Sequence, residues 1–502
     1  MGRTLTNNTG LAVAKEASLG VLPGSPDWKQ LEPNDITNFG AEITTVARDP
    51  ISADRQRRKG TVTDLDSAPE YEADLTMDIV DDFIAGFCFV VATNENLRFN
   101  GASATGTGYT VPALDAAQGA VLQSGSLVFA QGYSTTANNG LKPLTADAAS
   151  TDTELTVAGL SAETASESAI LEYAGIRAAT GDLTLTVSGT TAVLSTTLLD
   201  FTTLGLTVGQ FIHIGGLTTS EQFDTGAGYA RITSIAATEI GLDKLAAALA
   251  TDDGVGDTVD LLFGQFIRNV ATTDPAFIEQ SFQFEAQFPN LGPAGETGFE
   301  YATGNFCNQL EFTFPLTDKA TVTASFVGLD TETPVFVAKT GSDTPRQSLK
   351  TTALNTSSDF GRLRIQNTDE TGLTTDFKEI TLTLNNNASP EKVLGCLGAR
   401  FINTGNFEVD LETQVLFTSE EVIEAIKENR TVTFDLLVNN DNGSMAIDIP
   451  SLTLGAGDKE LPVNESILIN LTGQAFRDPT LGTSLSVSLF PAAPDVTEKV
   501  VN

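Results

Sequence analysis

The chain has 502 residues, with 28 Lys and Arg against 65 Asp and Glu and a formal net charge of −37. Hydrophobic residues make up 41% and charged residues 19%, which excludes a disordered chain, and the carboxylate excess repels phosphate, which excludes tight non-specific binding to nucleic acid. No run approaches the roughly 18 apolar residues of a membrane span, the first twenty residues lack an apolar leader core, and Cys88, Cys307 and Cys396, without C-x-x-C spacing, read as buried free thiols.

Residues 1–40 hold Pro23-Gly24-Ser25-Pro26 and the only tryptophan, Trp28, and read as an extended N-terminal arm. From 41 to 100 the pattern is strand, long loop, strand and short helix. Ile43-Thr-Thr-Val46 is the first strand, and Tyr71-Glu-Ala-Asp-Leu-Thr-Met-Asp-Ile79 alternates apolar and polar residues as a half-buried strand does. Ile79, Val80, Phe83, Ile84 and Phe87 follow a helical period. Between 101 and 262 the sequence turns to low-charge Ala, Thr and Gly. There Ser126–Gly132 matches Gln210–Gly216 in pattern, and each precedes a Thr-rich strand, which predicts one or two small antiparallel β domains inserted into the first unit. From 263 to 330 the alternation resumes at Phe282, Phe284 and Ala286 and at Leu310, Phe312 and Phe314, with a turn at Asp318-Lys319. The Thr-, Ser- and Asp-rich stretch 331–360 reads as a linker.

Residues 361–502 repeat this plan. Phe407-Glu-Val-Asp-Leu-Glu-Thr-Gln-Val415 shares an E-x-D-L core with 71–79 in the same phase, and Ile380–Thr383 precedes it as Ile43–Val46 precedes the first copy. A capping box, Thr418-Ser-Glu-Glu421, opens a second helix over Val422, Ile423 and Ile426. Each unit closes with a hairpin ending in glycine, Gly328 and Gly473. The expected fold class is mainly β: two tandem β-sandwich or barrel units, each with a short flanking helix, plus an inserted small all-β domain. Duplicated units of this kind suit self-assembly better than catalysis.

Three segments carry a family resemblance: Cys307–Pro315 through Ala324–Gly328, Phe377–Asn387, and Ile447 through Phe490-Pro491. With them the chain resembles the tail tube proteins (major tail proteins) of long-tailed bacteriophages, over both β units but not over the insertion. The resemblance implies a virion protein whose tube domains form rings that stack into a hollow tail tube for genome delivery. It makes 41–100 and 263–330 the two parts of a first tube domain, 361–502 a second, and 101–262 an outer decoration. Two tube domains per chain imply a homotrimer, a pseudo-hexameric ring. Implied partners are further copies of the chain, a tape-measure protein, a tail terminator, tail-tip proteins and DNA in transient, non-specific passage. The implied location is the virion tail, with the host cytoplasm during assembly.

In the first copy Glu72, Asp74 and Asp78 share a polar face, and in the second Glu408, Asp410 and Glu412 do. One reading is a solvated outer face; the other is a lumen wall whose carboxylates keep DNA from sticking, with Gln283, Glu285, Glu311 and Asp448 in support. Arg48, Arg55, Arg57, Arg58 and Lys59 gather in one loop, expected to contact the acidic face of a neighbouring ring. Its counterpart in the second unit, Asn385–Gly398, is more apolar. Chemistry has little to stand on: the one histidine, His213, reads as packing or surface, and no catalytic residues, metal site or cofactor are expected. The alternative function is a surface-displayed β-rich adhesive or carbohydrate-binding protein with the insertion as its binding module.

Overall fold

A computed structural model describes residues 4–164, 168–292, 294–370, 372–374, 376–461, 463–464 and 466–492. Residues 1–3 of the expected arm and 493–502 of the expected second unit lie outside them. The fold is mainly β with few short helices, as the alternation predicts.

A first block runs β1 (Gly10–Lys15), β2 (Pro33–Asn38), the hairpin β3 (Ala41–Arg48) and β4 (Arg58–Ser67), β5 (Glu70–Asp74) and helix α1 (Met77–Cys88). After a long excursion it continues with β6 (Phe282–Phe288), β7 (Gly298–Phe314), β8 (Thr321–Val327) and β9 (Asp330–Thr331). A second block follows: β10 (Phe360–Asn367), β11 (Phe377–Asn385), β12 (Glu408–Leu416), α2 (Glu421–Lys427), β13 (Thr431–Asn440), β14 (Gly443–Glu460), β15 (Leu468–Ala475) and β16 (Ser486–Phe490).

In the first block the antiparallel order is β1-β6-β7-β8-β5-β2, with β9 added to β7. In the second it is β10-β13-β14-β15-β12-β11, with β16 added to β14. The two blocks therefore share one topology: taken in chain order, corresponding strands pair in the same sequence in each. The blocks join edge to edge where β7 pairs β11, Phe312 opposite Leu382, so one sheet and one core run through both. Phe83, Phe284, Phe312, Leu382, Leu411 and Phe434 are in that core.

The excursion lies between α1 and β6. It builds its own core around Tyr109, Leu171, Phe201, Ile232 and Phe263, under a sheet that includes Ile170–Arg177, Phe211–Ile214 and Gly228–Ile235. It packs on the second block. Phe211 and Tyr229 meet Leu437, Ala446 and Phe490, and Lys244 is buried between Asp435 (3.4 Å) and Asp448 (2.6 Å).

Four expectations are corrected. The strand expected over 71–79 stops at Asp74, and Met77 begins α1, because Ile79, Val80, Phe83 and Phe87 place one helical face against the core, with Phe83 5.4 Å from Phe282. Ile43–Val46, the expected counterpart of Ile380–Thr383, lies instead in the projecting β3–β4 hairpin, and β2 holds beside β5 the place that Ile380–Thr383 holds beside β12. The repeat also has another register. Tyr71 sits between Ile36 and Ala324 as Thr413 sits between Ile380 and Leu471, so the counterpart of Tyr71 is Thr413, six positions beyond Phe407. A period-2 pattern matches itself at any even shift, so alternation gives the face and not the register. Finally, the capping box does not form: α2 begins after Glu420, and Ser419 Oγ instead accepts from the Glu421 amide at 3.1 Å.

Candidate functional site

Residues directly opposite each other in antiparallel strands share a face of the sheet. Read across β12, β11, β7, β8 and β5, three rows of polar side chains run without interruption. One is Glu412, Thr381, Thr313, Thr321 and Asp74. The next is Asp410, Thr383, Glu311, Thr323 and Glu72, extended to Asp35 of β2. The third is Glu408, Asn385, Gln309, Ser325 and Glu70. None of these side chains is buried. The intervening positions, Leu411, Leu382, Phe312, Val322 and Ala73, form the opposite face and lie in the core.

Five of the six expected carboxylates therefore share one face, in two clusters bridged by Thr, Gln and Glu311. The clusters differ in electrostatics. Asp410 is held above the usual carboxylate range, by partial burial first and then by the charges of Glu408 and Glu412. Among the described residues none of these three carboxylates forms an ion pair. In the first cluster Asp74 is paired with Lys319 of the β7–β8 turn at 2.6 Å, and that hydrogen bond raises the lysine's pKa. Since Glu72 and Glu408 do not hold matching positions, the two blocks do not present the same carboxylates at the same place.

Asp78 leaves the set. It sits in the first turn of α1, buried, and its carboxylate meets Lys29 at 2.6 Å. Gln283, Glu285 and Asp448 are buried as well. Gln283 accepts from Lys339, Glu285 accepts from Gln287, and Asp448 is clamped by Lys244 and Arg231. Strands covered on both faces hide their polar positions, which alternation alone reads as solvated. Thr321, Thr323, Thr381 and Thr383 belong to the same polar face, though the sequence reading singled out only its carboxylates. The signal was present in the alternation of Glu379-Ile-Thr-Leu-Thr-Leu384.

The basic loop forms the tip of the β3–β4 hairpin, where Arg48, Arg55, Arg57, Arg58 and Lys59 are all exposed. Arg58 pairs with Asp54 at 2.7 Å and Arg57 with Asp49 at 3.2 Å. The hairpin belongs to no larger sheet and leaves Ile43, Val46, Ile51 and Val62 exposed. At its base Lys392, in the loop after β11, bridges Asp64 and Asp66, both at 2.6 Å. That second-block loop exposes Val393, Leu394, Leu397 and Phe401.

His213 is buried against Tyr229, and burial lowers its pKa to about 4, so the ring is neutral packing. Burial pushes the Cys88 thiol up to about 12, and Cys307 is likewise buried; Cys396, against expectation, is exposed. Among the described residues no group of three His, Cys, Asp or Glu is placed to hold a metal ion, and no helix is long and apolar enough to cross a membrane.

Residues 236–475, a little under half of the chain, match the family model described as phage tail tube protein. The matched stretch runs from the end of the excursion through β15 and so includes β7, β8, β11 and β12. Comparison with curated proteins finds no match.

Proposed function

We propose, from the match of residues 236–475 to the phage tail tube protein family model, that this chain is a structural tail protein that forms three-chain, pseudo-hexameric rings stacking into the hollow tube of a phage tail. The two blocks act as tandem tube domains, 41–100 with 263–330 and 361–502, joined through 331–360; the stretch 1–40, expected as an extended arm, adds β1 and β2 to the first, and the 101–262 layer decorates the outside. The role is architectural rather than enzymatic. By the family analogy the chain meets further copies of itself, a tape-measure protein, a terminator and tail-tip proteins, in the virion tail after assembly in the host cytoplasm.

The observation that carries this reading is the polar face running across β12, β11, β7, β8 and β5 above an apolar core. Curled into a ring with that face inward, the sheet offers DNA hydroxyls, amides and carboxylates, and among the described residues Glu408, Asp410 and Glu412 form no ion pair. Phosphates meet repulsion within about 8 Å, the screening length at physiological salt, and a carboxylate cluster cannot release the cations condensed on DNA as Lys or Arg would. A duplex can then slide without binding. The basic hairpin tip suits the acidic surface of the next ring, setting register and association rate more than affinity.

The test replaces Glu72, Glu408, Asp410 and Glu412 together by Lys. Tubes of normal diameter by electron microscopy, with genome delivery lowered roughly tenfold or more, are expected, because a cationic wall binds DNA. Normal delivery through normal tubes would assign the face to the outside.

A further inference from the structure

Two edges of the long sheet have a ladder partner on one side only among the described residues. β2 pairs β5 and nothing else. β14 pairs β13 up to Thr453 on one side and β15 up to Glu460 on the other, so Leu454–Glu460 is bare on the β13 side. In the first block the matching edge is not bare. β7 pairs β6 only up to Asn305, and beyond it Gln309–Phe314 pairs β11. Because β11 holds in the second block the place that β2 holds in the first, the junction joining the two blocks leaves one unused half at each end of the chain.

The register can be carried over. In both blocks the long strand has a bulge at the corresponding point. Thr303 and Gly304 of β7 lie opposite Gln283, and Pro450 and Ser451 of β14 lie opposite Thr433. Counting from the bulge, Leu461 stands where Phe314 stands, while Ile36 stands where Ile380 stands through its pairing with Tyr71. Phe314 is 3% exposed, covered by Ile380 and by Phe360 at 5.5 Å; Leu461 is 71% exposed. Val463 beyond it is 84% exposed. An apolar strand end on an unpaired edge is a template for another strand.

We propose that the occupant is a second copy of this chain, docked head to tail, with β2 of one copy antiparallel to the outer edge of Ala456–Leu461 of the next and Ile36 opposite Leu461. This rests on the ring reading and specifies its contact. Each junction between chains repeats the β7–β11 junction within a chain, so one rotation relates successive blocks throughout. The contact is heterologous: each copy offers a different edge to each neighbour, and the series closes when the rotation divides a full turn.

The experiment is disulfide mapping in the full chain with Cys396→Ser, which leaves only the buried Cys88 and Cys307. One protein carries Ile36→Cys and Leu461→Cys; a second carries Thr37→Cys and Glu460→Cys, one position along. A control carries Glu239→Cys, on the excursion, with Leu461→Cys. Circular dichroism and electron microscopy establish folding and assembly before oxidation. Covalent dimers and trimers on non-reducing gels are expected for either edge pair and not for the control. Mixing the Ile36→Cys and Leu461→Cys single variants should give one covalent dimer and no trimer. Rings that assemble yet show no cross-link in either pair would overturn this edge pairing and leave the tube reading standing. A parent chain that neither assembles nor cross-links at high concentration would overturn both.

Discussion

Lys29 and Asp78 show how a single residue changes role when the chain folds. By period-2 spacing Asp78 belongs with Glu72 and Asp74, but it begins a helix, and its charge is buried 2.6 Å from Lys29. Removing one partner of such a pair leaves an uncompensated buried charge. Asp78→Ala should therefore cost about 3–5 kcal/mol, read as a lowered denaturation midpoint, with Asp78→Asn milder. Asp410 behaves in the opposite sense. Its folded pKa is raised by partial burial and by Glu408 and Glu412, so its contribution to stability is fully present below the ordinary carboxylate range and is lost as pH rises through the raised value. Asp410→Asn should raise the melting temperature at pH 7, and the gain should vanish as pH falls below the carboxylate range. An unchanged melting temperature at pH 7 would mean that the cluster is relaxed by solvent.

Among the elements, the β3–β4 hairpin is the least self-sufficient. Two strands exposed on both faces are marginal alone, and beyond the buried Leu65 and Ser67 at its base this pair leaves Ile43, Val46, Ile51 and Val62 in solvent. Replacing residues 49–57 by a two-residue turn should leave the monomer's melting temperature within a few degrees, because the tip buries nothing. It should prevent stacking, so that electron microscopy shows single rings and no tubes. Full-length tubes from the shortened chain would remove the hairpin from the stacking contact. Its presence as a loop with basic residues is legible in the sequence. Its pairing with β4, and the placing of β2 beside β5, are not. Both β2 and β3 offer short alternating runs, and the choice falls to Ile36 and Phe39, which pack on the common core while Ile43 and Val46 do not.

At the scale of the whole molecule, the excursion is anchored to the second block through buried charge. Lys244 and Arg231 meet Asp448, and Asp435 is shared by Lys244, Arg362 and Arg364. Lys244→Ala leaves Asp448 with one cation where it had two. It should lower the melting temperature by several degrees and increase protease cleavage between 89 and 281 ahead of the rest; uniform digestion would show that apolar contacts at Phe211 and Tyr229 hold the layer without it. The sequence by itself determined the β class, the strand–helix plan of each block, the change of character near 101 and 262, and the apolar face of each exposed strand. Each of these depends on local spacing, which a period of two or of 3.6 records directly. Only the tertiary structure decided that Glu285 and Asp448 are buried, that Tyr71 answers to Thr413, and that the two carboxylate strands share a face through β7 and β11. Those outcomes depend on which strand covers which, and strand pairing between residues far apart in the chain leaves no periodic mark in either strand.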